Sequence, residues 1–237
     1  MDEIRPNCEA AWDARIRQHV DASTTIPWRS VWQSLGTPLS DPTEEKAWRK
    51  LLHRAWDAKN RHPLEPDHSC RLGCGAEESM LHMIACRHAR PLWTACLHFC
   101  RTTLQEPEAT NTITAVIFGM RSSRTLMSET ARALLRHAVG KYYRDVTKIG
   151  LNKARPHWTA TFRDALIGLA EAAMRYAHKL RLLYVHRKYS NLTEIAPDEA
   201  RDRFAALIEI RANGTSRLTT EFQQAIDAAT RNADHTG

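Results

Sequence analysis

The feature that most constrains this chain is the segment CRLGCGAEESMLHMIAC, which contains four side chains able to ligate a metal: Cys70, Cys74, His82 and Cys86. Gly73 lies in the turn between the first two cysteines, where it lets the backbone direct both thiolates toward one point. His82 and Cys86 are four residues apart in a helical run, so we expect them on one helix face. The spacing predicts a metal centre built from a loop and the helix that follows it.

The donor set indicates zinc in a structural role. Three thiolates and one imidazole fill a tetrahedral coordination sphere and leave no position for water. The alternative is that the cysteines are buried as small apolar side chains. That interpretation suits Cys8, Cys96 and Cys100. It suits the four predicted ligands poorly, because CRLGCGAEES is a polar segment typical of an exposed loop.

Composition limits the classes of protein to which the chain can belong. Its 237 residues are enough for one large domain or two small ones, and 43% of them are hydrophobic, which allows a sizeable core. No apolar run approaches the ~18 to 20 residues that span a bilayer, and MDEIRPNCEA is not typical of a signal peptide. We therefore expect an intracellular protein, nuclear or cytoplasmic, with reduced cysteines.

Hydrophobic periodicity predicts helices along nearly the whole chain. The expected fold class is all-α, a helical bundle-like array with a small CCHC zinc knuckle (residues 70–86) inserted between helices. The clearest helix is SDPTEEKAWRKLLHRAWDAKNR, in which Asp41 can cap and Pro42 can begin the first turn. RPLWTACLHFCRTTL and SETARALLRHAVGKYYRDVTKIG are also predicted helices. TNTITAVIFG is rich in β-branched residues, but no partner strand is visible, so we predict a short helix.

Tryptophans are predicted to form the core of the N-terminal part. Trp48 and Trp56 are eight residues apart on one face of the predicted helix, and Trp28 and Trp32 are four apart on another. We expect these faces to pack together and Trp93 to join them from below the knuckle. The functional alternative is an aromatic platform on which bases stack.

Residues 25–95 resemble the zinc-binding domain found downstream of the reverse transcriptase in non-LTR retrotransposons. CRLGCGAEESMLHMIACRHARPLW has that family's order of a Cys pair, a GAEES-like stretch, Leu-His, a Cys and an aromatic-anchored helix. The upstream segments IPWRSVWQSL and KAWRKLLHRAW fit the family as well. The resemblance implies a non-catalytic, zinc-dependent nucleic-acid-binding module from the C-terminal part of a retroelement protein, with the rest of a polyprotein as a further partner.

The spacing departs from the family pattern at two places. The family usually has two residues inside the first Cys pair and four between the His and the last Cys, whereas both gaps contain three residues here. His68, His88 or Cys96 could therefore replace one of the four predicted ligands.

Positive charge is concentrated in residues 121–190, which carry fifteen basic and four acidic side chains, a net +11 in a chain of net +7. Such a segment is the expected footprint of nucleic acid, RNA or DNA, although solvated helix faces explain it equally well. Phosphate contacts are predicted for Arg144, Lys148, Arg175, Lys179, Arg181, Arg187 and Lys188. Arg136 and Lys141 could widen this patch. We expect no membrane binding, because the basic helices show no bulky aromatic anchoring face.

No catalytic motif stands out, so we do not expect an enzyme. The chain has no adjacent pair of aspartates and no P-loop. Asp198, Glu209 and Arg211 loosely resemble a nuclease pattern, but they lie in a predicted amphipathic helix. We expect two domains, residues 1–105 with the knuckle and a basic helical domain, residues 106–237. The alternative function is a structural or protein-interaction domain whose zinc only stabilises the fold.

Overall fold

The computed structural model describes residues 4–36, 39, 41–62, 64 and 67–152, together with eight helical positions between 158 and 172. This part of the chain is mostly helical and contains one small antiparallel sheet. Its elements are α1 (Ile4–Ile16), α2 (Trp28–Gln33), α3 (Pro42–Leu52), a 3-10 turn (Lys59–Arg61), α4 (Met80–Ala85), α5 (Arg90–Thr102), α6 (Thr112–Phe118), β1 (Met120–Ser122), β2 (Thr125–Leu126) and α7 (Glu129–Asn152). No helix among the described residues is long and apolar enough to cross a membrane.

Helix α3 begins as the sequence predicts. The carboxylate of Asp41 accepts a hydrogen bond from the backbone N–H of Thr43 at 2.9 Å, and Pro42 occupies the first turn. This N-cap satisfies donors that have no partner inside the helix, while proline has no N–H to satisfy there.

The end of α3 differs from the prediction. The helix stops at Leu52, and Arg54 adopts a positive φ of 53° that turns the chain. The expectation that Trp56 shares a helix face with Trp48 is therefore wrong. The indole N–H of Trp56 instead donates back to the carbonyl oxygen of Ala47 at 2.8 Å, which folds the turn onto the helix.

The segment TNTITAVIFG forms the predicted short helix, α6. The side chain of Asn111 accepts hydrogen bonds from two backbone N–H groups of its first turn, and Gly119 ends it with a φ of 70°. The β1–β2 hairpin that follows does not appear in the predicted pattern, which contains helices only. It pairs Met120 with Leu126 and carries a register irregularity.

The predicted aromatic core is confirmed for three tryptophans. Trp48, Trp56 and Trp93 are buried in one hydrophobic cluster. Trp28 and Trp32 are half-buried at its edge and stack on each other with ring centroids 6.0 Å apart. The aromatic platform therefore has no support from the three buried rings, which have no face open to a base.

The core extends from the N-terminal helices to α7. The indole N–H of Trp48 in α3 donates to the carbonyl oxygen of Ile117 in α6 at 2.8 Å. Gly140 lets α3 and α7 approach closely, since a Cβ there would lie 2.9 Å from the Cα of Glu44 and 1.8 Å from its Oε2. Helices on both sides of residue 105 thus share one core. The division into two domains stays a prediction.

Candidate metal centre

Four potential ligand atoms converge in the knuckle. The three Sγ atoms of Cys70, Cys74 and Cys86 and the imidazole of His82 lie within 4.8 Å of one another. The Sγ atoms of Cys70 and Cys86 are 3.8 Å apart, and Cys74 Sγ lies 3.1 Å from His82 Nε2. A tetrahedral zinc with Zn–S bonds of ~2.3 Å has S–S edges of about 3.8 Å. The described residues are therefore positioned to hold a metal ion.

A tight loop directs the first two thiols. Ser69 and Glu77 form an antiparallel bridge, and the N–H of Cys70 donates to the carbonyl oxygen of Ala76 at 2.8 Å. Between them, Gly73 has a φ of 76° and its N–H donates to the carbonyl oxygen of Cys70 at 2.8 Å. The left-handed conformation at this position explains why the turn needs glycine.

Helix α4 supplies the other two ligands. Ser79 caps it, and its hydroxyl accepts a hydrogen bond from the N–H of His82 at 3.0 Å. The helix ends at Ala85, so Cys86 occupies the C-cap with extended backbone (φ −54°, ψ 132°) and not a helical turn. His82 and Cys86 nevertheless reach the same point, because the C-cap residue follows the last helical turn directly.

A buried carboxylate holds the loop, and sequence reasoning missed it. Glu78 is 1% exposed. Its carboxylate accepts hydrogen bonds from the backbone N–H groups of Lys59 at 3.0 Å and Arg71 at 2.9 Å, and it forms an ion pair with the Arg71 guanidinium at 2.9 Å. A buried charge needs such partners. The Glu-Glu-Ser stretch before α4 gives no signal that its second glutamate turns inward.

Three aromatic side chains anchor α4 and the segment after it from behind. The indole N–H of Trp93 donates to the carbonyl oxygen of Ile84 at 2.9 Å, and the hydroxyl of Tyr142 donates to the carbonyl oxygen of Met83. The indole N–H of Trp158 donates to the carbonyl oxygen of His88 at 2.7 Å. Trp93 and Tyr142 thereby fix the ligand helix to α5, which follows it directly in the chain, and to α7, whose Tyr142 lies 59 residues after Met83.

The ligand thiols interact electrostatically before any metal is considered. The hydrogen bond between Cys86 and Cys70 lowers the pKa of Cys70, although burial opposes this. The same hydrogen bond, together with burial, raises the pKa of Cys86. The pair therefore holds one thiolate readily and resists a second negative charge. A bound cation would remove that resistance, because it stabilises both thiolates.

The alternative ligands lie apart from this cluster. The Nε2 atom of His68 lies 3.2 Å from the carbonyl oxygen of His62. Cys96 is fully buried in α5, where burial raises the pKa of its thiol. Within the described ranges, Cys70, Cys74, His82 and Cys86 are the group of metal-ligating side chains that comes together, and it contains neither His88 nor Cys96.

The structure describes two of the seven predicted phosphate contacts, Arg144 and Lys148. Arg175, Lys179, Arg181, Arg187 and Lys188 lie outside the described residues, as do Asp198, Glu209 and Arg211.

Some of the predicted cations of α7 are exposed, and others have partners inside the protein. Lys148 is exposed. Arg144 instead donates a hydrogen bond to the buried carboxylate of Glu44 at 2.5 Å. Arg136 is 3% exposed and lies over the ring of Trp48 at 4.3 Å. The expectation that Arg136 widens a phosphate-binding patch is wrong, because this side chain belongs to the core.

The evidence for the metal centre comes from this chain alone and not from related proteins. The resemblance to the retrotransposon zinc-binding domain rests on the sequence pattern and stays a prediction. The ligand positions rest on the distances given above. No protein-family model, curated protein or solved structure matches this chain.

Proposed function

We propose that this chain is a non-catalytic nucleic-acid-binding module whose knuckle holds one structural zinc ion. The observation that carries the proposal is the convergence of three thiols and one imidazole within 4.8 Å. This donor set is the one that zinc takes in closed structural sites, and thiolates select against magnesium and calcium. The zinc would tie the loop to α4 and so fix the surface around the knuckle.

The charge of the chain supports the nucleic-acid part of the proposal. The net charge is +7, and residues 121–190 contribute +11. Exposed cations also follow the last ligand directly, at Arg87 and Arg90, and Lys148 is exposed on α7. Because these cations carry no base-reading pattern, binding would act mainly through phosphates.

A second candidate is a structural or protein-interaction scaffold that binds no nucleic acid. One observation favours it: several cations of α7 already have partners inside the protein. Arg144 and Lys141 lie 2.5 Å and 3.8 Å from the Glu44 carboxylate, and Arg136 donates to the Ser34 hydroxyl at 2.6 Å. Such side chains stabilise the fold whether or not a polyanion is present.

Metal analysis tests the zinc. Protein purified without added zinc should contain one zinc per chain, and the content should fall on acidification, because the ligands must be deprotonated to bind. A Cys74→Ser variant should lose the metal, whereas Cys8→Ser, which changes a cysteine outside the cluster, should keep it. Metal-free protein with a native fold would contradict the proposal.

A gel-shift series over salt concentration, with single- and double-stranded RNA and DNA, tests the partner. Affinity should fall steeply with salt, with a log–log slope of roughly −3.5 for about five phosphate contacts on a single strand. Replacing four predicted contacts with Gln should flatten this slope by nearly three units, roughly 0.7 for each contact. The four contacts are Lys179, Arg181, Arg187 and Lys188.

A matched control separates specific contacts from net charge. This variant should leave the slope nearly unchanged. It replaces with Gln four exposed cations of the N-terminal part: Arg17, Arg29, Lys46 and Lys50. The scaffold reading expects no shift of any nucleic acid at ~50 mM salt, and that result would refute nucleic-acid binding by the isolated chain.

A further inference from the structure

Three arginines come together where the end of α1 meets the turn after α3, and we call them the arginine cluster. Arg15 lies in the last turn of α1, Arg54 in the turn after α3, and Arg61 at the end of the 3-10 turn that follows. Arg15 and Arg61 are exposed, and Arg54 is partly exposed. None of the three forms an ion pair with a carboxylate among the described residues.

Packing of α1 against the end of α3 brings Arg15 toward Arg54. The indole N–H of Trp12 in α1 donates to the carbonyl oxygen of Leu52, the last residue of α3, at 2.9 Å. Arg15 follows Trp12 by three residues and so lies on the same face of α1. The guanidinium groups of Arg15 and Arg54 are close enough to interact electrostatically.

Arg61 is fixed on the other side of Arg54. Its guanidinium donates to the carbonyl oxygen of Arg54 and to that of Trp56 at 3.4 Å. One nitrogen makes both bonds, so the rest of the planar fork is left for a ligand. The 3-10 turn is itself tied to the knuckle, because the backbone N–H of Lys59 donates to the Glu78 carboxylate at 3.0 Å. The loop that carries the metal ligands therefore also helps to position Arg61.

The arginines of the cluster repel one another. Burial lowers the pKa of Arg54, and the charges of Arg15 and Arg61 lower it further, while the Cys8 thiol opposes this shift. No carboxylate among the described residues contributes to it. A bound anion would offset both the burial of the Arg54 charge and the repulsion.

The carboxylates nearest in sequence have other partners. Glu9 and Asp13 of α1 accept hydrogen bonds from indole N–H groups of α2, at 2.5 Å and 3.2 Å. Asp57, in the turn after α3, is hydrogen-bonded to the imidazole of His62. The fold thus leaves the positive charge of the cluster without a paired carboxylate among these neighbours.

We infer that the arginine cluster binds backbone phosphates of a nucleic-acid strand. The guanidinium fork matches the oxygens of a phosphate. A strand carries one phosphate for each nucleotide, so a single ligand supplies an anion to every arginine of the cluster. The inference rests on the proposed function and deepens it, because it adds contacts beside the knuckle to those predicted for residues 121–190.

Gel shifts of the full chain with short single-stranded DNA and RNA, over a salt series, test the inference. Three further contacts should steepen the log–log slope of the wild type from roughly −3.5 to roughly −5.6, since each contact adds roughly 0.7. Replacing Arg15, Arg54 and Arg61 together with Gln should remove these roughly two units and weaken binding at ~50 mM salt by about tenfold or more. A matched control should change the slope little. It replaces with Gln three exposed cations outside the cluster: Arg17, Arg29 and Lys46.

A gain-of-binding variant guards the test against misfolding. Ala55→Arg adds a cation at an exposed position next to Arg54 and should steepen the slope by roughly 0.7 while tightening binding. A damaged fold would not raise the affinity. Ala22→Arg makes the same substitution at an exposed position between α1 and α2, and it should have little effect.

The outcomes separate this inference from the proposed function. If the wild type binds, but the triple variant and its control lose affinity equally or neither the triple variant nor Ala55→Arg changes it, the inference is overturned and the proposed function stands. If the wild type binds no nucleic acid, both are overturned. Competition by polyglutamate as strong as that by an oligonucleotide of equal charge would assign the cluster to an acidic protein and overturn the inference. Equal losses on DNA and RNA support contacts to phosphate alone, and a loss confined to one of them identifies the strand that binds.

Discussion

The sequence predicts a functional site in two regions, the knuckle and the basic helix α7. The structure brings the predicted residues together in the knuckle but not on α7. In the knuckle, four predicted ligands from one short segment converge within 4.8 Å. On α7, the predicted phosphate contacts separate: Lys148 is exposed, whereas Arg144 pairs with the buried Glu44. Arg136, which could have widened the patch, is packed over a tryptophan ring.

The difference concerns how much of each site depends on distant residues. The turn and the cap that direct the ligands of the knuckle are formed by hydrogen bonds between residues fewer than ten apart, such as the one from Cys70 to Ala76. Contacts from distant residues, such as Tyr142, hold this local structure in place but do not create it. The role of Arg144 depends on Glu44, which lies 100 residues earlier in the chain. Spacing alone therefore predicts the first kind of site, and charge alone does not predict the second.

The largest expected effect comes from removing the metal. Cys70→Ser, or a strong chelator, should abolish metal binding and unfold the knuckle, because structural zinc contributes about 10–16 kcal/mol of apparent binding free energy in small zinc peptides. Circular dichroism and one-dimensional NMR with and without chelator would measure the loss.

The matched variant Cys8→Ser controls for the loss of a thiol, since Cys8 Sγ lies 3.8 Å from His53 Nδ1 and far from the cluster in sequence. A chelator that leaves the NMR spectrum of the wild type unchanged would place the stability of the knuckle in Glu78 and the aromatic anchors alone.

The next largest effect is expected at Trp48, which joins the two regions of the core. Trp48→Ala should lower the free energy of unfolding by about 3–5 kcal/mol, because it leaves a large cavity. It also removes the ring beneath Arg136 and the hydrogen bond to Ile117. Trp32→Ala, at a half-buried ring, should lower it less. Urea unfolding of both variants measures the difference, and equal losses would contradict the burial of Trp48.

Local signals predicted much of the fold. Asp41 and Pro42 begin α3 as predicted, and TNTITAVIFG forms the predicted short helix. The mainly helical class follows from the hydrophobic period. These features are predictable because each depends on side chains within one turn of the backbone.

The features that local sequence patterns did not predict depend on tertiary contacts. Trp56 fits the helical period of α3, yet the chain turns at Arg54 and returns the indole to Ala47. The hairpin β1–β2 is too short to show alternation, so its period is invisible in the sequence. The Glu78 carboxylate can be buried because the backbone N–H groups of Lys59 and Arg71 donate hydrogen bonds to it. No local sequence pattern predicts these contacts.

A smaller effect should separate the two kinds of cation on α7. Arg144→Gln should lower the free energy of unfolding by about 1–3 kcal/mol, because it removes a charged hydrogen bond to the buried Glu44 carboxylate. Lys148→Gln, at an exposed position of the same helix, should stay within about 0.5 kcal/mol of the wild type. Lys148→Gln should instead reduce the salt slope of nucleic-acid binding. Chemical unfolding and gel shifts on the same two variants would measure both quantities. Equal losses of stability would contradict the difference between a paired Arg144 and a solvated Lys148.

The smallest effect is a pH dependence that tests whether Glu44 is fully compensated. Burial raises its pKa above the ordinary value of 4.5, and this outweighs the lowering by Arg144 and Lys141. The folded state then holds the proton more tightly than the unfolded state, so the contribution of Glu44 to stability falls as the pH rises from about 4.5 through the folded pKa. Glu44→Gln cannot titrate, and contributions from the metal site cancel between the two proteins. The free energy of unfolding of the wild type minus that of Glu44→Gln should therefore decrease between pH 4.5 and 7.5 in urea titrations. An increase over that range would mean that Arg144 and Lys141 outweigh the desolvation of the Glu44 carboxylate. The partners of Glu44 on α7 would then compensate its burial fully, as the hydrogen bonds and ion pair of Glu78 do in the knuckle.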